Sequence, residues 1–336
     1  MANDVDDGGR ESENESPHDP FVAALNSALK SSAEGLNEIF HQDLVPLRLG
    51  EESINFRCNF LAIDGTGSAE VGRLARWLEG RIIHYCIPRT RIKKAHRRFE
   101  KDGDVRHFTD LQREARQLFS DVHFSGEPGE LLLFCLLESW IGAPQLLSKM
   151  AIKSNSRMHF HGIDGIHARA TTSGALELYW GEAKFHDSPT QAMDDAFKSV
   201  EPYLISSRKG EFPRDLLLAR DFLDMGQRKV TAKVMKYFDE YEPESRKVEY
   251  KAVCLVGFSQ DEYPNFETAT REISDVWKAK VEVWRSRALS TVEKRQLKKF
   301  DLELICLPFP DVDIFRDRMM KEIGIERLQK PAQSRP

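Results

Sequence analysis

The chain has 336 residues, 40% hydrophobic and 31% charged, proportions that suit a soluble globular protein able to bury a full core as two domains or one elaborated domain. No apolar run is long enough to span a bilayer and no basic-then-apolar leader opens the chain, so no membrane partner is expected. The five cysteines, Cys58, Cys86, Cys135, Cys254 and Cys306, are scattered without CxxC spacing. They read as reduced core thiols in a cytoplasm and exclude both a zinc ribbon and a disulfide framework.

The net charge of −5 is unevenly distributed. Residues 1–20 carry seven acids and one arginine, and the remainder balances 48 Lys+Arg against 47 Asp+Glu. With almost nothing apolar to bury, 1–20 is predicted to be a disordered acidic tail. An N-terminal α/β region over 21–125 follows. It opens with a helix over Phe21–Leu36, an apolar strand INFRCNFLAI and a Gly-rich turn DGTGSAE. That turn lacks both the GxGxxG spacing and a Walker lysine, so it reads as an ordinary strand–helix connection. The amphipathic helix VGRLARWLEGRI comes next, then IIHYCIP as a second strand. The run RTRIKKAHRR places Arg89, Arg91, Lys93, Lys94, Arg97 and Arg98 within ten residues. It reads as a track for a phosphate backbone or, with equal weight, as a solvated helix face or loop.

The region 126–330 is the more informative. GEPGELLLFCLLESWIG is apolar nearly all round, the pattern of a buried central helix. Glu130 is its lone early charge, and Glu138 lies two turns later. A short strand, QLLSKMA, leads into a hairpin. In its first arm Met158, Phe160, Gly162, Asp164, Ile166 and Ala168 share one face. In the second, Leu176, Leu178, Trp180, Glu182 and Lys184 do. A three-residue loop, Thr172-Ser173-Gly174, with glycine in the left-handed position sets Asp164 directly opposite Glu182. His159, His161 and His167 fall on the other face, with His186 just past Lys184. They read as polar filling of an exposed face, a zinc site being the weaker alternative. Ser188-Pro189-Thr190-Gln191 opens a helix running to about Ser206. The strand KVEYKAVCLVGFS follows, then a long helix with Trp277, Val281 and Trp284 on one stripe. The strand DLELICLPFP and a helix carrying Phe315, Met319 and Ile323 close the chain.

Three charged groups on an apolar face are costly unless they pair or hold a metal. Two neighbouring carboxylates on a rigid sheet make a hard, oxygen-rich pocket for Mg²⁺ or Mn²⁺. Asp164, Glu182 and the Ala183 carbonyl are the candidate ligands. Lys184 is the candidate group for orienting or deprotonating a water, or for offsetting charge on the phosphorane. Glu130 is placed to add a further ligand. Gln191 either positions substrate or is a plain surface residue. A buried ion cluster without catalysis is the weaker reading, because burying three charges for structure alone is usually unfavourable.

GELLLF, GIDGIHA and LYWGEAKF together resemble the PD-(D/E)XK nuclease superfamily: an acid on the first helix, Asp on one strand, Glu-x-Lys on the next. More narrowly, over about 300 residues, the chain resembles the HamA family, nuclease-type subunits of the Hachiman anti-phage defence system. The resemblance implies a mixed α/β fold with a restriction-endonuclease-like αβββαβ core, an N-terminal α/β region and C-terminal additions. It implies a Mg²⁺-dependent deoxyribonuclease acting on DNA with a helicase partner, HamB. By position, Asp164, Glu182 and Lys184 become the catalytic set and Glu130 the auxiliary acid. Ile163 stands where the superfamily's name has proline. The sequence contains no Walker motif, so ATP-driven unwinding would come from another chain. The competing function is a non-catalytic DNA-binding adaptor that docks a helicase.

Overall fold

A computed structural model describes residues 20–42, 47–48, 54–119, 126–147, 149–152, 162–208, 214–263 and 274–325. The acidic tail predicted for 1–20 lies outside them except for its last residue, as do Met158, His159, Phe160 and His161 of the hairpin's first arm.

Eight strands form one sheet: β1 (Phe40–Gln42), β2 (Leu47–Arg48), β3 (Ile54–Leu61), β4 (Gln145–Leu147), β5 (Gly165–Ala170), β6 (Leu176–His186), β7 (Val248–Ser259) and β8 (Asp301–Phe309). Their order is β1-β3-β8-β7-β6-β5-β4, with β2 also on β3. β3, β8, β7 and β6 run parallel, whereas β5 and β4 are antiparallel additions beyond β6. The N-terminal strand β3 thus joins the same sheet as the C-terminal half, through Cys58 opposite Cys306.

Among the described residues, the α-helices longer than four residues are α1 (Pro20–Asn26), α2 (Val71–Glu79), α3 (Ile82–Cys86), α4 (Arg89–Asp102), α5 (Arg106–Gln117), α6 (Glu127–Leu136), α7 (Pro189–Arg208), α8 (Arg214–Phe222), α9 (Arg228–Lys236), α10 (Asp275–Lys294) and α11 (Val312–Glu322). A π-turn over Leu137–Ile141 continues α6. The predicted order of helix, three strands, helix, strand is present as α6, β4, β5, β6, α7, β7, with α8 and α9 added before β7.

Three expectations need correction. IIHYCIP is the helix α3 and not a strand; its isoleucines and tyrosine have strand propensity, but its core contacts with α5 and α6 decide. The first helix stops at Asn26, ten residues early. The hairpin does not have one buried and one exposed face. β6 lies between β5 and the parallel strand β7, and its sequence is buried almost throughout. Leu176, Leu178 and Trp180 pack with Ala192, Met193 and Phe197 of α7. Tyr179, Ala183 and Phe185 pack on the other face with Leu131, Leu133 and Phe134 of α6. Strands paired in a parallel sheet are covered on both faces, so near-continuous burial follows. Each large side chain so buried contributes about 1.5–3 kcal/mol.

Candidate active site

The site lies where β5 begins. Thr171 N–H donates to the Ala175 carbonyl at 2.9 Å, closing the hairpin, and Gly174 has φ 80°. The tight left-handed turn that glycine permits fixes the register, with Gly165 opposite Gly181 and Ile166 opposite Trp180. One step back along the chain, Asp164 meets the stretch of β6 that carries Glu182. Its Oδ2 accepts a hydrogen bond from Ala183 N–H at 2.9 Å. The carboxyl therefore takes the place of the next β5 backbone group. The N–H and C=O of a strand residue leave the same edge, so the Ala183 carbonyl lies on the edge that β5 vacates.

Asp164 and Glu182 are close enough for each carboxyl to act on the pKa of the other. Burial raises the pKa of Asp164, opposed by Lys149 and Lys184. Burial, then the Asp164 charge, pushes Glu182 up to about 7. Lys184 Nζ donates to Glu182 Oε1 at 2.5 Å. Burial pulls the Lys184 ammonium down, but Glu182 and Asp164 more than offset it and its pKa lies above the ordinary value. The other oxygen, Glu182 Oε2, is buried and has no donor in hydrogen-bonding geometry among the described residues, while Ser199 of α7 helps to hold the pKa of the carboxyl down. A buried acceptor without a donor is costly, and a cation would satisfy it.

Glu130 reaches the site from α6. Its helix α6 packs on the face opposite Glu182 and Lys184, with Gly129 set against Phe185. Glu130 therefore faces Asp164 from the other side of the β5 margin. Tyr85 of α3 donates its hydroxyl to Glu130 Oε2 at 3.0 Å. Burial and the Asp164 charge push Glu130 up to about 8.

Lys149, on a single helical turn after β4, is buried and its charge holds both Glu130 and Asp164 down. Nothing in the sequence pattern marks it, since QLLSKMA reads there as continuous strand. Arg316 of α11 is likewise unmarked and donates to the Phe185 carbonyl at 2.7 Å, one residue beyond Lys184.

Among the described residues, no group of three or more His, Cys, Asp or Glu side chains converges to hold a metal ion. Two carboxylates with an orphaned oxygen still fit Mg²⁺ or Mn²⁺. These hard cations take one or two carboxylates and complete their shells with water and substrate phosphates. Of the histidines in the zinc alternative, His159 and His161 lie outside the described residues, and His167 and His186 do not come together. His167 is fully buried on the α6 side, with Nδ1 2.8 Å from the Ala143 carbonyl and its pKa held down to about 3 by burial. It fills no exposed face. His186 lies 3.1 Å from Asp195 on α7.

The basic run is the helix α4. Arg89 is buried and belongs to the core, bonding the carbonyls of Ala28, Gln145 and Asp224 and pairing with the buried Glu138 at 3.3 Å. Arg91 is engaged by Glu114 through two hydrogen bonds of 2.5 and 2.7 Å. Lys93 donates to the Gly226 carbonyl at 3.1 Å. Lys94, Arg97 and Arg98 are exposed, without an ion pair among the described residues. Gln191 is exposed in the first turn of α7 and joins no carboxylate of the site.

The family whose model matches the chain is HamA, over residues 22–323. No curated protein matches the chain significantly.

Proposed function

Because the chain belongs to the HamA family, we propose that it is the nuclease subunit of a Hachiman anti-phage system, hydrolysing DNA phosphodiesters together with a helicase partner. The observation that carries the reading is the pairing of Asp164 with Glu182 across the β5–β6 margin, beside Lys184 and an unsatisfied Glu182 Oε2. Mg²⁺ or Mn²⁺, held by Asp164, Glu182 and the Ala183 carbonyl, supplies when bound the Lewis-acid polarisation that phosphodiester hydrolysis needs.

The chain's own groups account for the rest. Both carboxyls resist ionisation until a positive charge offsets their burial, so the pocket selects a cation. Lys184 leans on Glu182 and is only part-buried, which leaves its ammonium at the boundary where a phosphate would enter. From there it offsets charge developing on the phosphoryl oxygens, or orients the attacking water. Lys149 supports the same balance from the interior. Glu130, held protonated by burial and by Asp164 near neutral pH, is suited to donate a hydrogen bond at the rim. Lys94, Arg97 and Arg98 present a solvent-facing cationic strip for a sequence-independent phosphate contact.

The test is cleavage of plasmid and linear DNA by the purified chain, alone and with its helicase partner, in Mg²⁺ and in EDTA. Wild type is expected to cut in Mg²⁺ only, with Glu182→Ala and Lys184→Ala each lowering the rate by at least about a hundredfold, the scale of a lost transition-state contact. Unchanged Mg²⁺-dependent cutting by both variants would remove the assignment. Phage defence that persists in cells carrying them would favour the non-catalytic adaptor.

A further inference from the structure

Asp164 is held on one side by β6, and a second device holds the chain just ahead of it. Ile163 N–H donates to Asp215 Oδ2 at 2.9 Å and lies 3.0 Å from the Tyr203 hydroxyl. Tyr203 in turn donates to the same Asp215 oxygen at 3.1 Å. The three groups close a ring of hydrogen bonds drawn from α7, α8 and the start of β5. Asp215 is buried, and its Oδ2 takes two donors at once, as a buried acceptor requires. The approach needs glycine at the preceding position: Gly162 has φ 143°, and a Cβ there would lie 2.3 Å from Asp215 Oδ2. Ile163 itself is fully buried in the core against α7. The Tyr203 ring packs against Trp180 with centroids 5.1 Å apart, and Trp180 is two residues before Glu182 on β6.

We infer that Tyr203 and Asp215 are positioning residues for Asp164. They fix the peptide at Ile163, which fixes where the Asp164 carboxyl leaves the chain and lets it reach Ala183 N–H beside Glu182. The path runs from Asp215 and Tyr203 to Ile163 N, then through one residue of backbone to Asp164 and on to Ala183 N. Both act on Asp164 through the backbone at Ile163. Groups that orient a metal-binding side chain without touching the metal typically govern affinity by about 10–100-fold. The inference rests on the nuclease reading for its consequence, though not for its geometry.

Two variants test it with little change of packing: Tyr203→Phe keeps the ring against Trp180, and Asp215→Asn keeps the shape at Ile163. Amide hydrogen exchange at Ala183 is the primary readout. Wild type is expected to protect that amide, and both variants to lose the protection while the Trp180 amide stays protected. Retained protection of Ala183 in both would overturn the clamp. Mn²⁺ binding to the same samples, measured by calorimetry, is expected to weaken by about 10–100-fold. At saturating Mg²⁺ the cleavage rate should return close to wild type, with the Mg²⁺ half-saturation point shifted upward. Asp164→Asn is the reference. If wild type and Asp164→Asn bind Mn²⁺ alike, the cation-site reading fails, and the exchange result still decides the clamp. If Asp164→Asn abolishes binding while the two clamp variants bind as wild type does, the clamp fails and the site stands.

Discussion

At the scale of single residues, burial decides which groups carry charge. Asp164, Glu182 and Glu130 are all raised, because each is removed from water beside another acid. His167 is the opposite case, a neutral imidazole sealed in the core. Its unfolded pKa is near 6.5 and burial holds it at about 3 in the fold. The unfolded chain therefore takes up a proton that the folded chain refuses, and this contribution to stability falls as pH drops from 6.5 towards 3. Between pH 6.5 and 5, wild type should lose about 2 kcal/mol relative to His167→Gln, at roughly 1.4 kcal/mol per pH unit. Urea melts of the two proteins across that range would check it, and parallel profiles would contradict it. Asp164, Glu182 and Lys184 were legible in the sequence because strand alternation and loop length are local rules. Lys149, Tyr203 and Asp215 were not. Each reaches the site from another element, and spacing along the chain carries no record of that approach.

At the scale of elements, the spacing between α6 and the sheet is set by one aromatic ring. Phe185 lies between Gly129 of α6 and Gly257 of β7, where an added Cβ would come within 2.8 and 2.4 Å of its ring atoms. Phe309 and Phe315 pack against the same ring, with centroids 5.7 Å away in each case. The ring has no free side to move into, so Gly257→Ala should destabilise the protein by about 1–3 kcal/mol, the range for an overpacked core. Equilibrium unfolding would measure it, and a change below about 0.5 kcal/mol, within the range of ordinary surface substitutions, would show that the packing can relax. Most elements were legible from periodicity: β3, α2, α6, the hairpin turn, α7, β7, α10 and β8. The sheet's two-sided burial was not. An apolar/charged alternation looks like an exposed strand until β7 is known to pair beside it, and only then do Tyr179 and Phe185 become core. The helix α3 was misread because Ile82, Ile83 and Tyr85 favour strands and five residues are too few to reveal a period of 3.6.

At the scale of the whole molecule, the candidate site gathers parts from distant stretches of chain. Tyr85 of α3 bonds Glu130 of α6, which faces Asp164 ahead of β5, which bonds β6, and Arg316 of α11 reaches Phe185. The N-terminal strand β3 completes the sheet on β8. No helix among the described residues is long and apolar enough to cross a membrane. The central claim is that Asp164 and Glu182 form one cation pocket at the edge of β6. Anomalous diffraction from crystals soaked in Mn²⁺ tests it most directly. The account predicts a single strong peak in contact with both carboxylates and the Ala183 carbonyl, lost in Glu182→Gln. A peak at His186 or elsewhere, or one that survives Glu182→Gln, would contradict it.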